Sequence, residues 1–199
     1  MKVDRPTLAR HRAKMLEQAG RLFRLRGFGA VGVAEITQAA GLTHGAFYGH
    51  FASKSALAAE SCRQSLFASA IVWRARAARA AAAGEDPIGA LIDAYLTPTH
   101  RDAPEGGCAI ATLGPEAARD PDLRAALADG TEALLAVLRD VLATERPALA
   151  AEARPGVALA ILSAMNGGLI LARMLVDQPE ASTAALAAAA AGARQAATR

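Results

Sequence analysis

The chain has 199 residues, enough for one sizeable core or for a small head on a larger body. Its two cysteines are too few for a disulfide framework or a zinc finger, and its charged start has no apolar run behind it, so a cytoplasmic protein without a secretory signal is expected. The net charge of +3 is uneven: residues 1–60 hold nine Lys or Arg against four Asp or Glu, and the remainder thirteen against fifteen. A basic head on a near-neutral body suits a protein that meets a polyanion with one end, although a solvated helix face gives the same balance.

Every periodic segment reads as helix and no strand pattern occurs, so the expected fold class is all-α with about nine helices. The first helix is expected from about Thr7 to Arg26, with Gly27 as its stop. Val33, Ile36, Ala39 and Ala40 then mark the buried face of a short second helix. Gly41 supplies a left-handed stop, Leu42 plugs the angle, and Thr43 takes the N-cap position of a third helix. Two short helices joined in this way form a helix-turn-helix, whose second helix enters the DNA major groove.

Ser53 is the expected N-cap of a long fourth helix reaching about Ala83, broken by Gly84-Glu85-Asp86-Pro87. Asp86 and Pro87 open a fifth helix towards Thr97, and Pro98 to Gly107 reads as a loop. A short helix is expected from about Cys108, broken near Gly114-Pro115 and continuing to Ala118. Asp120-Pro121 starts another to about Thr144. The next runs from near Pro155 to near Asp177, where Pro179 forbids continuation, and an alanine-rich helix from Ser182 to Ala197 closes the chain. The stretch from Gly156 to Val176 has the length of a membrane span. It contains Ser163, Asn166, Arg173 and two adjacent glycines, so a buried or dimer-forming helix is expected there instead.

From Val33 to Lys54 the chain resembles the TetR/AcrR family of bacterial transcriptional regulators. The family signature runs apolar-x-x-Ile-Ala-x-x-Ala-Gly-Val-Ser-x-Gly-x-Phe-Tyr-x-His-Phe-x-Ser-Lys; here Thr37, Leu42 and Thr43 replace its small residue, Val and Ser. Met15, Leu16, Ala19, Leu22, Phe23, Gly27 and Phe28 match the family's first helix and its exit. The resemblance implies a helix-turn-helix DNA-binding domain over 1–52 and a helical effector-binding and dimerisation domain over 53–199. It further implies a homodimeric repressor that binds a palindromic operator in double-stranded DNA and is released by a small-molecule effector. An activator shares the same head, so the sign of regulation stays open.

The family's DNA contacts fall here on Thr43, His44, Gly45, Tyr48 and His50, with Lys54 just beyond. Thr43 and the free N–H groups of the helix start suit a phosphate, and His44 and Gly45 lie where base edges come closest. Tyr48 offers a ring and a hydroxyl, while His50 and Lys54 would grip the backbone. His50 could instead bridge helices within the head. His44 stands where the family often has Lys, Pro or Arg, and Gly49 where it often has a larger residue, which bears on base preference. Phe47 and Phe51, four apart, read as core.

Ala160, Ala164, Gly168 and Ala172 recur every four residues and lay a small-residue ridge that lets two helices approach. The ridge forms a dimer seam or packs within the subunit; the family's use of its last two long helices favours the dimer. For the effector, Trp73, Tyr95, His100, Thr112, Met165 and Asn166 are candidate lining residues, against ordinary packing. Cys108 follows Gly106-Gly107 at a helix start, and its surroundings resemble those of regulators that sense electrophiles or oxidants through a cysteine. A buried, inert thiol is the other reading. His11, His44, His50 and His100 show neither ligand spacing nor a partner nucleophile, and Glu116 and Asp120 lack a matching His. No enzyme activity, cofactor, metal or membrane partner is expected.

Overall fold

A computed structural model describes residues 4–198, and among them ten α-helices and one 3-10 turn account for all regular structure. The helices are α1 (Arg5–Arg26), α2 (Val33–Ala39), α3 (His44–Phe47), α4 (Lys54–Ala82), α5 (Pro87–Tyr95), α6 (Pro98–Asp102), α7 (Ala109–Ala117), α8 (Pro121–Glu145), α9 (Arg154–Met174) and α10 (Pro179–Thr198). The all-α reading holds. The 3-10 turn, Pro104–Gly106, precedes α7.

Local chemistry sets most of these boundaries. The α1 start falls two residues earlier than expected because the Asp4 carboxylate accepts the Thr7 N–H at 2.9 Å and caps it. Gly27 ends α1 at φ +85° and Gly41 ends the α2 turn at φ +70°, the left-handed region where a side chain would be strained. The Asp86 and Asp120 carboxylates accept the Ile88 and Leu123 N–H groups and open α5 and α8 with a proline directly behind each. The same cap-and-proline signal at Thr97-Pro98, where Thr97 Oγ1 accepts the His100 N–H, makes α6 inside the stretch expected to be loop.

Two proline readings are corrected. Pro115 does not break α7, which runs through it on an exposed side close to the helix end. Pro179 lies beyond the end of α9 as expected, but it is also the first residue of α10, which begins three residues before Ser182.

The chain divides into two compact units, one of Met1–Ser65 with Pro104–Gly130 and the other of Leu66–Ala103 with Thr131–Arg199. In the first, α1 packs on α2, on the 3-10 turn and on α7, and α2 packs on α3. Met15, Phe23, Ile36, Phe47 and Leu57 are fully buried at its centre, each contributing about 1.5–3 kcal/mol of hydrophobic stabilisation. In the second, α9 lies along α10, with α5 against α10 and α6 against α9. Ile88, Leu91, Ile92, Leu138, Ile161, Met165 and Leu169 form its core. Helix α9 is long and apolar enough to cross a membrane by composition, and its inner face is built into this core.

Candidate nucleic-acid interface

Helix α3 is a single turn, and its neighbours rather than its own hydrogen bonds hold it in place. Phe47 is fully buried and Phe51 nearly so; their rings lie 5.8 Å apart and tie both ends of the segment into the core. With that side fixed, the opposite side faces outward. Thr43, His44, Gly45 and Tyr48 are all exposed, Tyr48 to 66% of its surface. A large aromatic side chain left so open on a rigid base suits a contact surface.

Thr43 occupies the N-cap position with extended backbone, and its side chain makes no capping bond. His44 and Tyr48 stand one turn apart with their rings edge-on at 5.7 Å. Phe47 supports Tyr48 from behind, edge-on at 5.2 Å. No atom lies within 4 Å of where a Gly45 side chain would start, so the bare backbone there can approach a base edge. Together these four residues present a hydroxyl, an imidazole, open backbone and a phenol on one surface.

His50, half-buried, follows α3 and meets His11 of α1 with ring centroids 6.5 Å apart. Burial holds its imidazole below the usual range, and the His11 and Arg12 charges act in the same direction. Arg12 lies 4.8 Å over the Phe51 ring and forks onto both carboxylate oxygens of Glu60.

Lys54 is directed differently from the sequence expectation. Its ammonium donates to the carbonyls of Phe28 at 2.9 Å and Val31 at 3.1 Å and lies 4.2 Å over the Phe28 ring. Two of its three protons therefore bolt the α1–α2 connection to the start of α4. The basic excess of the head is reduced likewise. Arg26 pairs with Glu35, and Arg24 turns inward to the Glu105 carbonyl at 2.8 Å. Arg5, Arg10 and Lys14 stay exposed without an acidic partner among the described residues.

The residues named for an effector fall in both units. Trp73, Tyr95, His100 and Asn166 come together in the second: Tyr95 lies edge-on to Trp73 at 6.0 Å and to His100 at 4.5 Å, and its hydroxyl donates to Asn166 Oδ1 at 3.0 Å. The His100 ring meets the Tyr95 carbonyl through Nδ1 at 2.7 Å, and burial lowers its pKa. Met165 is fully buried beside Asn166 on α9. A groove of about 280 Å3 between α4, α5 and α8, lined by Ala77, Pro87, Val137 and Val141 among others, includes none of them.

Thr112 and Cys108 lie in the first unit, Cys108 as the N-cap residue of α7 and 9% exposed. The half-buried Arg24 guanidinium is within electrostatic reach of Cys108 and of Cys62, whose thiol burial pushes up to about 12. The small-residue ridge of α9 is divided. Gly168 and Ala172 are buried, and a Cβ on Gly168 would sit 2.1 Å from the Ala189 methyl of α10, so this half packs within the chain. Ala160 is exposed and Ala164 half-buried.

Two residues were not read as part of this surface from sequence. His11 stands in the sequence only as a histidine without ligand spacing, and its pairing with His50 joins positions far apart in the chain. Glu116 accepts the Phe28 N–H and so holds the same connection that Lys54 bolts. Residue spacing carries no signal for either pairing.

Residues 15–60 match the model of bacterial regulatory proteins of the tetR family, and residues 84–189 match the tetracyclin repressor-like C-terminal domain. No curated protein matches the chain significantly. Among solved structures, the reduced form of NemR from E. coli superposes with a TM-score of 0.75 at 22% identity, over 92% of this chain and 97% of that one. A TetR-family regulator from Cytophaga hutchinsonii gives 0.74 at 18% identity, over 98% of both chains. One from Chloroflexus aurantiacus gives 0.72 at 24%, over 96% of this chain and 97% of that one. With family matches over residues 15–60 and 84–189, the chain belongs to the TetR/AcrR family of DNA-binding transcriptional regulators.

Proposed function

We propose that the protein is a homodimeric repressor that binds a palindromic operator through Thr43, His44, Gly45, Tyr48 and His50 and is released by a small-molecule effector. The observation that carries the reading is the exposed His44–Tyr48 pair on a buried Phe47–Phe51 base, because a rigid support lets polar groups discriminate base edges. A single α3 turn covers few base pairs, so tight specific binding calls for two heads on half-sites about 34–36 Å apart.

A second copy of the chain is supported by the outer side of α9 and α10. Ala160, Ser163, Leu171 and Met174 share one exposed face of α9, with Leu171 52% and Met174 74% exposed, and Ala184, Ala187, Ala188 and Ala191 are exposed on α10. An apolar two-helix face rich in alanine permits the close approach that dimer-forming helices need. Leu171→Glu is expected to shift the sedimenting species from a dimer to the 20.4 kDa monomer.

The head and the body are proposed to divide near residue 52, with α4 as the shared element. Effector binding is proposed for the Trp73–Tyr95–His100–Asn166 cluster with Met165, whose polar groups sit within an apolar surround. Release of DNA then follows if the effector binds one head arrangement more tightly than the other.

The test is selection of genomic DNA fragments by the purified protein at two salt concentrations. Recovery of a shared palindrome supports the reading; salt-sensitive recovery with no shared motif overturns it. A second reading, sensing by oxidation or alkylation of Cys108, draws support from its N-cap position and the Arg24 charge. Mass spectrometry after brief iodoacetamide treatment of the native protein decides it: modification at Cys108 alone supports it, and none refutes it.

A further inference from the structure

His11 and His50 face each other across the edge of the head where α1 passes the end of the recognition segment. Their rings are edge-on at 6.5 Å, both residues are half-buried, and neither imidazole has a hydrogen-bond partner among the described residues. The charged groups around them are one-sided. From α1 come His11 itself and Arg12; from α4 comes Glu60, both of whose oxygens are already taken by Arg12. Arg10 and Lys14, flanking His11 on α1, are exposed and unpaired with any acid. Two imidazoles and several cations thus gather with no free carboxylate paired to them among the described residues, an arrangement that disfavours protonation of His50 until an anion arrives.

We propose that His11 and His50 form one phosphate-binding pair that takes up protons when DNA binds, which makes His11 a DNA-contacting residue. The inference rests on the DNA-binding reading above and adds to it both a residue and a proton linkage. In the free protein, burial and the neighbouring His11 and Arg12 charges hold the His50 side of the pair towards the neutral ring. A backbone phosphate against it stabilises the imidazolium form of each ring, and N–H donors from α1 and from the turn after α3 then hold one oxygen cluster. By linkage, whatever raises the histidine pKa on binding must strengthen binding as the pH falls.

A rise of about one unit for each ring corresponds to an affinity gain approaching tenfold per histidine between pH 8 and pH 6. The sign is fixed: binding tightens at lower pH, in the window around the ordinary histidine value of about 6.5. The anion supplied by DNA is sequence-independent, so the effect is read on a duplex of arbitrary sequence.

The experiment measures binding of a labelled duplex of about 30 base pairs and mixed sequence at low salt, by fluorescence anisotropy at pH 6 and pH 8. Wild type is expected to gain more than about tenfold at pH 6, His11→Gln a few-fold, and the His11→Gln/His50→Gln double variant almost nothing. A variant-independent measurement accompanies these: calorimetry of wild type at pH 7 in two buffers of different ionisation enthalpy, which counts the protons bound. Uptake of roughly half a proton or more supports the pair, and zero uptake overturns it. A full gain in the double variant also overturns it. If wild type binds no duplex at either pH, the DNA-binding reading itself fails; binding without a pH gain removes only the histidine pair.

Discussion

Replacing Lys54 with methionine removes the ammonium while keeping an unbranched apolar stem of similar length over the Phe28 ring. The structure gives the charge two acceptors, the Phe28 carbonyl at 2.9 Å and the Val31 carbonyl at 3.1 Å, and a ring face at 4.2 Å. Hydrogen bonds to a charged group contribute about 1.5–3 kcal/mol each and an exposed cation–π contact about 0.5–1. Lys54 is half-buried and the carbonyls regain water in the variant, so the expected net loss is nearer 2–3 kcal/mol. Urea unfolding followed by circular dichroism reads this directly. The salt dependence of DNA binding supplies the contrast, because a lysine that neutralises a phosphate contributes about 0.9 to the slope of log K against log salt. Lys54→Met is expected to lose stability and leave the slope unchanged. Unchanged stability with a slope reduced by about one unit would refute the inward placement and restore Lys54 to the DNA contacts.

Tyr48→Ala is expected to cost about 1–3 kcal/mol at a cognate site by titration and to leave the unfolding midpoint in place, since the side chain is 66% exposed. Gly168→Val forces a side chain into the Ala189 methyl and should lower stability by about 1–3 kcal/mol or more in thermal unfolding. His100 has its pKa lowered by burial, so folding favours the neutral ring. The stability it contributes is complete above the unfolded value of about 6.5 and is lost as the pH falls through the lower folded value. Chemical unfolding at pH 7 and 5.5 should show this slope in wild type, and His100→Gln should flatten it.

Much of the fold was legible from local signals. Asp86-Pro87 and Asp120-Pro121 each marked a helix start because a carboxylate accepting a free N–H and a preset proline φ act within four residues. Thr97-Pro98 carries the same signal, but the glycine and proline around it read as loop. Pro115 does not break its helix, since a missing N–H near a solvent-facing helix end costs little. Within the candidate interface, Phe47 and Phe51 as core and Tyr48 as exposed followed from spacing four against spacing one.

What the sequence determined by itself is the all-α class, the glycine stop at Gly41 and the family. These rest on helical periodicity, capping and a contiguous motif, all of which act over a few residues. Only the tertiary structure decided where the charges go. Lys54 turns to Phe28 and Val31, Arg24 to Glu105, Arg12 to Glu60, and His11 to His50. It also set which half of the α9 ridge is buried: Gly168 meets Ala189 while Ala160 stays outside. Long side chains and helix faces find partners tens of residues away, and a periodic pattern names the face without naming what covers it.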